Sequence, residues 1–553
     1  MQAKPINHTL SVSDQLVPTD MAAIAAAGFR SIICNRPDDE AADQPSFAVI
    51  EAAAEKAGLV AAYLPVTSAT LNADNGAAFG MLMEQLPKPV LAYCRSGARS
   101  TSLAGLAAVG APAGESDTGM SRRALMVGAG SLAAATTAYL AIGNRTQAQP
   151  VATKARIAII GGGAAGLTTA AMLAARLTGG EITVYEPSEL HSYQPGWTLV
   201  GAGVKAAGYT KLRTADFIPA GVKWVKQAVS EIDPDARTLT TADGVRHAYD
   251  YVAVCTGLTL RYDEITGMSR DLIGKHGIMS VYGGEEAALA SFRALSEFAE
   301  AGGVALFGRP ATEMKCAGAP LKQTLLSDDH LRRKGTRDKA RFIYNAHNQV
   351  LFSVPVVTAR VEEIFKRQQV EVRRGHRLTA IDPGRKIATY ATAAGNIEEK
   401  WDLINVIPPM RAPEFIRQSP LSWKTGNWAP EGWMEVDRKT LRHVRYDNVF
   451  GIGDIAGVPK GKTAASVKWQ VPVAVDHLVA SIAGRTGTQV YDGYTSCPLI
   501  TRIGSAMLVE FNYHDQLVPS FPLVDPLAEG WLPWVMKDVG LKPAYSAMLR
   551  GHG

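Results

Sequence analysis

The stretch that most constrains the fold begins at Arg156. ARIAII is a short apolar, β-branched run, and GGGAAG then supplies Gly161, Gly163 and Gly166. An Ala- and Leu-rich helix follows to about Thr178, and a second strand, EITVYE, ends on Glu186, twenty residues past Gly166. Glycines so placed allow a tight turn, close approach of the backbone to a pyrophosphate, and packing of helix on strand. The helix N-terminus offers unpaired N–H groups to phosphate, and the acid at Glu186 suits a ribose hydroxyl pair. Strand, turn, helix, strand and acid in this order predict a βαβ dinucleotide-binding unit.

Downstream, NVFGIGD (448–454) reads as a strand running into Gly451, Gly453 and Asp454. A carboxylate there suits the ribityl hydroxyls of FAD. The apolar strand Tyr251–Val254 runs into the turn Thr256-Gly257, a third element of the same arrangement. Lys462 and Thr463, in the loop after Asp454, are candidates for contact at the flavin ring, where a cation stabilises the negative charge of reduced flavin. The cofactor expected is FAD.

Where a two-dinucleotide fold would place a second glycine fingerprint, the candidate strand Val304–Phe307 is followed by GRPATEMKCAGAP, with no G-x-G-x-x-G. A thiol, Cys316, stands in its place. Lys315 precedes it, and Pro320 followed by LKQTLL predicts a helix just beyond. Positive charge and a helix N-terminus both favour a thiolate. A flavin without a nicotinamide fingerprint and with a reactive cysteine points to sulfur redox chemistry.

From about residue 155 onward the chain resembles the sulfide:quinone oxidoreductases, in the branch that includes the mitochondrial enzymes. YQPGWTLVGAG (193–203), KCAGAP (315–320), Pro408-Pro409, NVFGIGD, GKTAASV (461–467) and YDGYTSCPL (491–499) carry the resemblance. It implies that FAD takes two electrons from sulfide through a cysteine pair and passes them to membrane quinone, the sulfane sulfur leaving on a small thiol. The second redox cysteine that the resemblance implies, after the aspartate of FGIGD, is Ile455 here. Cys255 ends a buried strand and reads as a small apolar residue, and Cys497 reads as structural. The pair is therefore expected to lack its partner.

The first 112 residues read as a separate α/β domain. Candidate helices Asp20–Ala27, Phe47–Ala57 and Asn75–Leu86 alternate with candidate strands Arg30–Cys34, Val60–Tyr63 and Val90–Tyr93, a pattern suited to a parallel sheet. The last strand runs into YCRSGARST, placing Cys94 before a Gly-containing loop and Arg99, where successive N–H groups can face an anion. With its NRPD run at Asn35–Asp38 the segment resembles the tyrosine-phosphatase-like family called beta-lactamase hydrolase-like. Its C-x4-R spacing is one residue shorter than the phosphatase C-x5-R and matches rhodanese-type loops, which favours sulfur transfer over phosphate hydrolysis. Arg36 and Asp38 read either as site residues or as a turn held by an ion pair.

Residues 113–153 read as a linker. MSRRALMVGAGSLAAATTAYLAIGN has Arg122 and Arg123 together and then no charge until Arg145, which resembles a twin-arginine export signal at an internal position. The alternative is an Ala/Gly-rich linker helix. The main flavoprotein body is expected over 154–500. Residues 501–553 end in GWLPWVMKDVGLKPAYSAMLRG, where aromatic, apolar and basic residues suit a membrane interface. A helix pair closing the core is the other reading.

With 553 residues the chain exceeds what one core normally supports. A net charge of +5 against 57 basic and 52 acidic residues gives no sign of a nucleic-acid partner. Five cysteines without C-x-x-C argue against a disulfide scaffold or zinc site. The expectation is an α/β protein in which a phosphatase/rhodanese-like domain precedes a Rossmann-like, two-dinucleotide FAD oxidoreductase. It is expected at the bacterial inner membrane, on either side, with sulfide or a small thiol, quinone and the membrane surface as partners. A cytochrome acceptor, or a phosphatase joined to a sulfur-sensing flavoprotein, are the alternatives left open.

Overall fold

The computed structural model describes residues 3–552 apart from residues 39, 42, 68–70, 72–74, 77–78, 81, 84–85, 111–148 and 522–523. The twin-arginine run therefore lies outside the described residues. The chain divides into two compact units, Met1–Thr137 and Ala138–Gly553. Among the described residues no helix is long and apolar enough to cross a membrane.

The first unit holds a five-stranded sheet in the order Lys4–Pro5, Leu10–Ser13, Val90–Tyr93, Ser31–Cys34, Val60–Tyr63. All neighbours are parallel except the first, antiparallel edge pair. Val90–Tyr93 and Ser31–Cys34 are buried at every position, as central strands of apolar residues should be. Ser13 and Cys34 both pair with Tyr93, so these strands end level and Cys94 emerges at their carboxyl edge. The sequence reading missed Leu10–Ser13, whose LSVS alternation gives only a weak apolar signal. Helices Met21–Ala26 and Phe47–Lys56 fall within the expected spans.

In the second unit, Arg156–Ile160 lies centrally in the parallel sheet Lys223–Val225, Glu181–Tyr185, Arg156–Ile160, Tyr251–Val254, Val449–Gly451. Helix Ala164–Arg176 follows its first strand, and Gly166 explains why the two can approach: a Cβ there would stand 1.8 Å from the Gly161 carbonyl oxygen. A second parallel sheet runs Ile278–Met279, Leu403–Asn405, Gly303–Gly308, Ala340–Ala346, Val370–Arg374. Helices Glu285–Ala301, Ala319–Lys334 and Pro355–Arg367 accompany it. The hairpin Thr495–Arg502/Ser505–Phe511 packs on helix Ala319–Lys334.

The C-terminal stretch forms helices Trp531–Val535 and Leu541–Leu549 joined by a π-helical turn, Met536–Gly540. Trp534, Lys537, Tyr545, Met548 and Leu549 are buried, while Trp531, Leu532, Val535 and Met536 are half-buried. Tyr545 meets His191 of the cofactor domain at 2.7 Å. Much of the apolar surface expected at a membrane interface thus closes the protein's own core.

Candidate functional site

Cys316 sits in the turn before helix Ala319–Lys334 with φ +48°, a left-handed conformation that side chains other than glycine rarely adopt. The turn is held from three sides. The Cys316 N–H donates to the Lys462 carbonyl at 2.8 Å, its own carbonyl accepts from Ala319 N–H at 2.8 Å, and the Tyr282 hydroxyl donates to that carbonyl at 3.1 Å. Strain held by several partners is common at reactive positions.

Cys497, on the strand Thr495–Arg502, hydrogen-bonds to the Cys316 sulfur. Gly318 makes this possible, because a Cβ there would lie 2.2 Å from the Cys497 sulfur. All five cysteines are free thiols. Lys322, one helical turn on and 4% exposed, places Nζ 3.4 Å from the Cys316 sulfur. Lys537, 1% exposed, adds a second positive charge and donates to the Pro195 carbonyl at 2.6 Å.

The Cys316 thiol is held well below its ordinary range, first by the hydrogen bond from Cys497, against the cost of burial, and then by the two lysine charges. Cys497 is pushed up by that same bond and by burial. The two sulfurs titrate as a pair, with Cys316 shifted down and Cys497 up. Burial would lower Lys322, but the facing sulfurs outweigh it and it rises. Lys537 falls to about 7, mainly through burial and then the nearby Lys322 charge.

Several sequence expectations change here. Cys497 was expected to be structural and Cys316 to lack a partner; the two are neighbours, brought together by elements far apart in the chain. Ile455 is 0% exposed in the core of the cofactor domain. Lys315 turns away to Gln194, with Nζ 2.8 Å from Oε1, so the cations facing the sulfur are Lys322 and Lys537. Cys255 is 4% exposed and burial pushes its thiol up to about 12, as an inert core cysteine. Lys322, Lys537 and Tyr282 carried no local signal, although the TSCPL run did mark Cys497.

The loop after Asp454 meets the same turn, since the Lys462 carbonyl accepts from the Cys316 N–H. Gly161 has φ +102°, and a Cβ there would meet the Cys255 carbonyl oxygen at 2.6 Å. Gly163 caps the helix and a Cβ on it, or on Gly257 beside Thr256, would meet nothing within 4 Å. Glu186 accepts from the Gly162 N–H at 2.7 Å and from Ser188 N–H at 2.8 Å. Gly453 has φ +81° and donates its N–H to Gln470 Oε1 at 2.7 Å.

Burial pushes the Asp454 carboxyl up, against the charges of Lys315 and Lys462. Lys462 donates to the carbonyls of Asp454 (2.7 Å) and Ala456 (3.0 Å) and lies over the Trp433 ring at 3.7 Å; burial lowers it to about 8. Thr463 caps helix Ala464–Ile482 by accepting from Ser466 N–H at 3.0 Å. A tight glycine turn, open space at a helix N-terminus and a half-buried carboxylate between two lysines fit a flavin dinucleotide.

In the first unit burial raises the Cys94 thiol, but the N–H groups of Ser100, Ser96 and Arg99 and the Ser100 hydroxyl outweigh it, so the thiol is lowered. Arg99 donates both terminal nitrogens to Glu40, at 2.8 and 2.7 Å, and one of them to the Val66 carbonyl at 2.7 Å. Arg36 reaches the same carboxylate at 2.8 Å. Asp38 accepts from Phe47 N–H at 2.7 Å and thereby fixes the start of a helix.

Residues 155–476 match the family described as pyridine nucleotide-disulphide oxidoreductase, and residues 3–111 match the beta-lactamase hydrolase-like protein, phosphatase-like domain. The mitochondrial sulfide:quinone oxidoreductase of Dictyostelium discoideum is 37% identical over 413 residues, covering 74% of this chain and 89% of that protein. The Mus musculus counterpart is 35% identical over 404 residues, covering 72% and 86%. The solved sulfide:quinone oxidoreductase of Aquifex aeolicus shares the fold with a TM-score of 0.60 and 19% identity, over 72% of this chain and 92% of that one. The beta-lactamase hydrolase-like protein of Agrobacterium fabrum is 35% identical over 103 residues, but these are only 19% of this chain and 24% of that protein. Identity at this level over most of two full-length relatives, joined to the flavin turn and the thiol beside it, means that the chain belongs to the sulfide:quinone oxidoreductase family and is an FAD-dependent oxidoreductase.

Proposed function

We propose that the chain oxidises sulfide at the Cys316–Cys497 pair and passes the two electrons through FAD to a quinone. The observation that carries this reading is the placing of two thiols together in the turn beside Gly318, with Lys322 Nζ 3.4 Å from the Cys316 sulfur and the buried Lys537 close by. In the oxidised pair, HS⁻ attacks the Cys497 sulfur. The Cys316–Cys497 bond breaks, a new sulfur–sulfur bond leaves Cys497 as a persulfide, and Cys316 departs as a thiolate. The lower-pKa sulfur is the better leaving group, and Lys322 and Lys537 hold its charge. A second sulfur nucleophile then takes the outer sulfur, leaving a Cys497 thiolate, and re-forming the disulfide releases two electrons. FAD held by the Gly161–Gly166 turn, Glu186 and Asp454 would supply the two-electron acceptor between this pair and the quinone.

Anaerobic addition of one equivalent of sulfide, followed by rapid alkylation and peptide mass spectrometry, tests the assignment. Persulfide on the Cys497 peptide is expected. Persulfide on Cys316 alone reverses the leaving group, and none on either cysteine overturns the reading.

For the first unit the reading is sulfur transfer at Cys94. Its N–H cradle stabilises a thiolate, while Glu40 occupies the Arg99 fork that a phosphate dianion would need. Transfer of sulfur from thiosulfate to cyanide by the full chain, lost in Cys94→Ser, is the expected result; hydrolysis of an aryl phosphate without sulfur transfer contradicts it.

A further inference from the structure

We infer that the second sheet carries a binding site for a small oxyanion, separate from the thiol pair and the flavin turn. Gly308, Asn345 and Asn405 end or nearly end three neighbouring parallel strands, Gly303–Gly308, Ala340–Ala346 and Leu403–Asn405. The strand order reverses direction about Gly303–Gly308, and ligands of open α/β sheets bind outside the carboxyl ends of strands at such a point. A cavity of about 150 Å³ opens there.

The walls are built to receive negative charge. Arg309, Arg377 and Arg411 line the cavity against a single carboxylate, Glu264. Glu264 is already held by Arg411 through two contacts of 2.6 and 2.9 Å. Arg309 and Arg377 have no carboxylate partner among the described residues, and Arg309 Nε is buried without an acceptor. Asn405 is 4% exposed, and among the described residues neither its amide nitrogen nor its amide oxygen has a partner. Asn345, 1% exposed, has only the Tyr390 hydroxyl within reach of its amide. Buried amides and guanidinium nitrogens left unpaired keep the full cost of leaving water, so a ligand that satisfies several of them at once is favoured.

Size sets the ligand class. The cavity matches roughly five water volumes, whereas pockets for drug-sized ligands and cofactors run to about 300–1,000 Å³. A tetrahedral oxyanion suits this volume, either free or as the head of a small ester.

Thermal melting of the FAD-loaded full chain, with inorganic phosphate and separately with glycerol 3-phosphate, tests this against sodium chloride at matched ionic strength. A saturable rise in melting temperature is expected in the wild type, with affinity reduced at least tenfold in both Arg309→Gln and Asn405→Leu. A rise with phosphate assigns the free ion, and a rise with the ester alone assigns an ester head group. Binding at the Cys94 loop is insensitive to either substitution, so only the difference between variant and wild type counts. If Asn405→Leu fails to retain FAD, Arg309→Gln, whose side chain is partly exposed, decides alone. Absence of any saturable shift, wild-type affinity in Arg309→Gln, or tight NADH binding in the same crevice overturns the proposal.

Discussion

Replacing Lys322 with methionine keeps the length of the side chain and removes a buried charge that faces the sulfur of Cys316 at 3.4 Å. With an effective dielectric near 20, a unit pair at that distance attracts by about 5 kcal/mol. One pKa unit is about 1.4 kcal/mol, so about 3.5 units is the ceiling on the rise of the Cys316 pKa. Lys537 keeps part of the compensation, and a rise of about 2 units is the expected outcome. The assay is the pH dependence of alkylation in the reduced protein, with Cys316 and Cys497 resolved by peptide mass spectrometry. In wild type, Cys316 should react first and hold its rate into acidic pH. In Lys322→Met its midpoint should move toward the free-thiol range near 8.5. An unchanged midpoint, or Cys497 as the faster-reacting thiol in wild type, refutes the electrostatic account of the pair.

Lys537→Met should flatten the pH dependence of stability. Its folded pKa, about 7, lies below the roughly 10.4 of a free lysine, so the unfolded chain binds more protons between these values and wild-type stability rises with pH across that window. Cys316, lowered in the fold, adds in the same direction up to the free-thiol range, so the variant should retain that part of the slope in chemical denaturation. Ile455→Cys should not accelerate flavin reduction by sulfide in stopped-flow measurements, because the proposed partner of Cys316 is Cys497. Gly166→Ala forces a Cβ to within 1.8 Å of the Gly161 carbonyl oxygen; FAD content measured by absorbance should collapse, with destabilisation of about 3 kcal/mol or more. Glu40→Gln should free Arg99 and raise vanadate affinity at the Cys94 loop, read by slowed thiol alkylation.

Local patterns carried the βαβ turn at Gly161–Gly166, the helix after Cys316 and the parallel strands that place Cys94, because each depends on residues within a few turns of chain. The thiol site does not have that character. Cys316 comes from a turn, Lys322 from the helix behind it, Cys497 from a hairpin and Lys537 from the C-terminal turn; only packing brings them together. Reading Ile455 as an absent partner tied the second sulfur to the strand next to the flavin, whereas the thiol that neighbours Cys316, and that we propose as its partner, comes from another direction. The same long-range packing redirects the C-terminal segment, where Lys537 and Tyr545, legible as interfacial residues, are buried against Pro195 and His191.

The most direct measurement of the central claim is the loss of flavin absorbance when sulfide is added anaerobically to the FAD-loaded chain. Wild type should bleach, and added quinone should restore the colour. Cys316→Ser and Cys497→Ser should each retain FAD yet fail to bleach. Bleaching at the wild-type rate in either serine variant would show that sulfide reduces the flavin without the pair.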